Sequence, residues 1–132
     1  MKLILSVAIA VSASLVFTSS TLADENHDII EKVMKNGLKA PKKPENAESQ
    51  MEKLLGGTLK AEETKALLEL VKTMHGTKAP VGDQAAYDEK VKELIAALEE
   101  VAGGKTDEKA LERLDKAQNC KACHSDHKPK KK

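Results

Sequence analysis

Both cysteines of the chain and two of its four histidines lie in one short stretch, NCKACHSDHK, residues 119–128. Three chemistries use residues of these types at this spacing. A redox dithiol needs its C-x-x-C where a helix begins after a strand, because the helix N-terminus lowers the thiol pKa. A zinc site could draw on Cys120, Cys123, His124 and His127, two thiolates and two imidazoles. Such sites usually gather their ligands from two separate chain segments, and here adjacent Cys123 and His124 would point about 100° apart on a helix. Covalent haem attachment explains both the spacing and the order. Each cysteine sulfur adds across one vinyl group of the porphyrin, and the histidine that follows the second cysteine supplies the proximal nitrogen to the iron. On this reading Cys120 and Cys123 hold a single haem c, and His124 ligates its iron.

The start of the chain bears on that choice. Lys2 is followed by the mostly apolar run Leu3–Phe17, then by TSSTLA, with Thr21 and Ala23 in the −3 and −1 places of a cleavage site. This is the pattern of a secretory signal peptide, residues 1–23, leaving a mature domain of residues 24–132. The apolar run is short for a bilayer span, which takes about 20 residues. Export to the periplasm is expected. In an oxidising compartment two cysteines three apart are either paired or committed to a ligand, and c-type attachment itself requires an exported chain. Without Lys2 the 22 basic residues fall to 21, equal to the 21 acids. A neutral domain argues against nucleic acid as a partner. Only the end, residues 127–132 (HKPKKK), is strongly one-sided.

The elements that must position the motif read as helices throughout. In HDIIEKVMKNGLKAP, Ile30, Val33 and Met34 share a face with His27 one turn earlier, and Gly37, Pro41 and Pro44 stop the helix. ESQMEKLL (48–55) is a short helical piece ended by Gly56 and Gly57. From about Lys60 to His75 the stripe is Leu67, Leu70, Val71 and Met74; from Asp83, a cap, to Gly103 it is Tyr87, Val91, Leu94, Leu98 and Val101. Thr106 is the expected cap of a last helix whose inner face, Leu111, Leu114 and Ala117, runs on into Cys120 or Lys121. The motif is thus expected at the end of that helix, where the dipole opposes thiol activation. No period-two segment stands out. The fold expected is all-α, an antiparallel four-helix bundle with a short extra helix between the first two. Tyr87 is the one aromatic residue after position 23; a core so short of large side chains has room for a flat aromatic cofactor.

A leader, an all-helical domain and C-x-x-C-H near the end of the last helix together resemble the cytochrome c-prime group of bacterial c-type cytochromes. The resemblance covers essentially the whole mature chain in helix order, and NCKACHSDHK is its one specific motif. In that group an aromatic and then a basic residue follow two positions after the motif; here they are His127 and Lys128. The resemblance implies a monohaem protein of the periplasm that transfers single electrons to and from redox partner proteins, with homodimerisation through the first two helices a further option.

The iron's sixth position then decides the function. Low-spin members of the group place a methionine of the first helix opposite the proximal histidine, and Met34 stands on that face; high-spin members leave the place open and bind NO or CO. A helical methionine is also ordinary core filler. His27 is the chief rival to Met34, with Met51, Met74 and His75 behind it, while His127 is too near His124 in sequence to reach the opposite haem face. No nucleophile–base pair, phosphate loop or paired carboxylates suggest an enzyme. The alternatives are a gas-binding five-coordinate haem protein and a zinc-binding helical protein.

Overall fold

A computed structural model describes residues 20–42 and 44–130, with side chains from Glu25 onward, so most of the expected leader and the last two residues of the tail lie outside the described residues. The described chain is all-helical. Six α-helices and one π-helical turn follow in order: α1 (Ser20–Val33), the π turn (Met34–Leu38), α2 (Gln50–Leu55), α3 (Ala61–Lys72), α4 (Gln84–Ala102), α5 (Glu108–Ala117) and α6 (Cys120–His127). None of the described helices is long and apolar enough to cross a membrane.

Local chemistry sets most boundaries. Ser49 and Glu52 form a reciprocal capping box at α2, with Ser49 N–H donating to Glu52 Oε2 at 2.6 Å and Glu52 N–H to Ser49 Oγ at 3.1 Å. Asp83 caps α4 by accepting from Ala86 N–H at 2.9 Å, as its sequence position suggests. At α5 the cap is Asp107, which accepts from Ala110 N–H at 3.1 Å, and not Thr106. The carboxylate one residue later reaches the third amide directly, and the helix starts at Glu108 instead.

The larger correction lies at the end of the chain. The last helix does not carry the cysteine motif on its final turns. It stops at Ala117, and Gln118 closes it in a bridge-region conformation (φ −81°, ψ 9°). Asn119 then starts a new helix by accepting from Ala122 N–H at 3.0 Å. The apolar stripe runs out at Ala117, and Asn119 is a strong N-cap, so breaking and recapping costs little.

One apolar core joins the elements. It is built from Val33, Met51 and Leu54 of the first half, the Leu67–Leu68–Val71 face of α3 with Met74 from the turn after it, the Tyr87–Val101 face of α4, and Ala110 and Leu114 of α5. Helix α4 is the central piece, packed against α3, α5 and α6, and the π turn joins α1 to α2 and α3. Arg113 of α5 adds a forked contact to Glu93 (2.9 and 3.3 Å) and a bond to Glu100 (2.6 Å) of α4. These groups are largely exposed, so the bonds orient α5 more than they stabilise it. Helix α6 brings one side chain into the buried set, His127.

Candidate functional site

A cavity of about 530 Å³ opens between the ends of these helices. Cys120, Ala122, Cys123 and His124 of α6 line one side, and Met34 and Leu38 of the π turn line another. Met74, Ala86, Val91 and Leu94 add apolar surface, while Glu89, Lys90, Glu93 and Lys116 supply charge at its walls. The fold thus brings together residues separated by most of the chain. Of the rivals to Met34, Met74 also lines the cavity; Met51 is buried in the core away from it, and His27 and His75 are exposed and are not among its lining residues.

The π turn accounts for Met34's place. Lys39 N–H donates to Met34 O at 2.8 Å, a five-residue closure that widens the last turn of α1. Met34 and Leu38 both reach the cavity from this turn.

On the α6 side the two sulfurs differ. Cys120 is exposed, its Sγ donating to Gln118 O at 3.4 Å, whereas Cys123 is half-buried, and burial pushes its thiol pKa up. Both are free thiols. The motif opens a helix, so the dithiol reading gains the helix N-terminus that the sequence denied it, but it has no strand before it among the described residues. His124 is exposed at the cavity's edge. Partial desolvation, and then the charges of Lys128 and Lys39, lower its pKa and favour the neutral imidazole, the form that ligates metals.

His127 is turned elsewhere. Its Nδ1 lies 3.0 Å from Val81 O, and a carbonyl only accepts, so Nδ1 carries the proton. The ring meets Tyr87 edge-on, centroids 5.4 Å apart. Nε2 is buried with no hydrogen-bond partner among the described residues. Histidine therefore does here what an aromatic residue would do, packing a flat ring against α4, and adds one bond to the loop before it. A zinc set of Cys120, Cys123, His124 and His127 is not assembled. Among the described residues the metal-ligating side chains that converge are His27, Asp28 and Glu31, all exposed.

Two further ties hold α6, and neither stood out in the sequence. Lys90 of α4 donates to Ala122 O at 3.1 Å and to Asp126 Oδ2 at 2.7 Å. Gly82 (φ +83°) lies so close that a Cβ there would stand 2.5 Å from Asp126 O and 3.1 Å from His127 Nδ1. Behind them Tyr87 is fixed by its hydroxyl. Thr77 Oγ1 is 2.6 Å from Met74 O, which takes its proton, so Tyr87 O–H donates to Thr77 Oγ1 across 2.8 Å. The only sequence signal for this clamp is the pattern A-P-V-G-D, a turn before a cap. No family model, curated protein or solved structure matches the chain.

Proposed function

We propose that this chain is an exported, monohaem c-type cytochrome of the periplasm that carries single electrons between redox partner proteins, with α1, α3, α4 and α5 as an antiparallel four-helix bundle. The observation that carries the reading is the shared cavity: Met34 lines the same space as Cys120, Cys123 and His124, although the first helix and the motif are at opposite ends of the sequence. The bundle order is supported by α3, α4 and α5 packing as consecutive neighbours, with only five residues between α4 and α5.

The residues present fit a covalently held haem. Two accessible or half-buried thiols stand one helical turn apart at the cavity wall, an imidazole whose pKa is lowered by desolvation follows at its edge, and a thioether lines the same cavity. When bound, haem supplies a one-electron iron couple. The chain's own part would be to hold the group through Cys120 and Cys123, to offer His124 and Met34 as donors to its iron, and to exclude water with Leu38, Met74, Val91 and Leu94. A thioether opposite an imidazole favours a higher potential than two imidazoles.

Met34→Ala separates this reading from a gas-binding one. The substitution is expected to convert the loaded protein from a low-spin to a high-spin spectrum and to open the iron to CO. An unchanged spectrum means that Met34 is not an axial ligand, and a wild-type protein already high-spin and open to CO favours the gas binder.

A further inference from the structure

Gly37 is an odd residue to find buried in a helical turn. Glycine there is unfavourable relative to alanine, and its backbone is not in the left-handed region, so conformation alone does not require it. The sequence reads it as a helix stop. The structure instead places it inside the π turn, pressed against α3: a Cβ built on it would lie 2.9 Å from Leu67 Cδ1 and 3.3 Å from Leu70 Cδ2. Leu67 is itself buried, 3% exposed, so its methyl group has core on its far side. A side chain at this position would have to displace the Leu67 and Leu70 methyl groups or lift the turn off α3.

From this we infer that Gly37 is a positioning residue for Met34. The five residues Met34–Leu38 form one hydrogen-bonded turn, closed from Lys39 N–H to Met34 O. Its first and last residues line the cavity, and its fourth, Gly37, rests on Leu67 and Leu70. A turn closed by its own hydrogen bond and seated on α3 at Gly37 has little freedom left, so the depth of Gly37 on α3 sets where the Met34 thioether stands. Adding volume at Gly37 lifts the turn away from α3 and carries Met34 with it, without touching Met34 itself. The inference rests on the reading of Met34 as the distal ligand.

The test uses a graded pair, Gly37→Ala and Gly37→Val, and the compensated double variant Gly37→Ala/Leu67→Ala. In the haem-loaded protein the thioether-to-iron charge-transfer band is expected to weaken from wild type to Ala to Val. The Val variant's CO affinity is expected to rise by about tenfold, as the fraction of iron with an open sixth position grows. The double variant is expected to recover the band, which a general loss of stability would not allow, since Leu67→Ala alone adds a cavity. In the haem-free chain the Met34 methyl resonance is expected to move with Gly37→Ala and return in the double variant. A band, a CO affinity and a methyl resonance all unmoved by Gly37→Ala and Gly37→Val would overturn the inference, whatever the haem does. If Met34→Ala leaves the spectrum unchanged while the methyl resonance still follows Gly37, the distal-ligand reading fails but the seating of the turn stands.

Discussion

The Cys120→Ser/Cys123→Ser variant is expected to leave no haem on the chain after acid–acetone extraction, where the parent keeps all of it. Serine preserves the size and the Asn119 cap of α6, so the helix should still form. What disappears is the pair of sulfurs one turn apart. The single variants divide the effect: each is expected to retain haem through one thioether, with Cys123→Ser perturbing the fold more, because Cys123 is half-buried and Cys120 exposed. Chromatography of the extracted peptide with detection at the haem band reads the outcome. Haem that stays bound in the double serine variant would show that attachment does not run through these cysteines.

The second large effect is expected at Gly82. Its φ of +83° and a Cβ position 2.5 Å from Asp126 O leave no room for any side chain. Left-handed backbone at a non-glycine residue costs about 1–2 kcal/mol, and the clash is with backbone, which cannot rotate away. Gly82→Ala is therefore expected to cost about 3 kcal/mol, but locally. His127 is the buried side chain of α6, and the Val81 bond is its hydrogen bond to the rest of the fold. The α3–α4–α5 core does not depend on it. Amide exchange should thus accelerate through α6 by about two orders of magnitude, while α4 and α5 stay protected. Uniform acceleration across α4 and α5 would show instead that α6 and the core unfold as one unit.

Both predictions turn on features that differ in how plainly they stood in the sequence. The C-x-x-C-H motif and the apolar stripes of α3 and α4 were legible because they are local: spacing alone fixes a helix face, and Asp83 announces its helix by type. Met34's face was legible for the same reason, although its meeting with α6 in one cavity was not. The break at Gln118–Asn119 is not legible in the sequence because Leu111, Leu114, Ala117 and Cys120 continue one stripe, and a continuous stripe hides a cap that competes with it. Gly37 and Gly82 both read as punctuation. Their reasons are close approaches to α3 and to α6, contacts between residues about 30 to 45 positions apart that no local pattern encodes. By type and spacing His127 is a candidate zinc ligand, and only its carbonyl partner and the Tyr87 ring reveal a packing role.

The most direct test of the central claim is the absorption spectrum of the exported protein, oxidised and reduced, made in cells that mature c-type cytochromes and followed by acid–acetone extraction. A sharp reduced α-band that stays with the polypeptide is the predicted result, with Cys120 and Cys123 holding a low-spin haem and His124 and Met34 donating to its iron. A protein with no Soret band, carrying zinc or a Cys120–Cys123 disulfide instead, would contradict it.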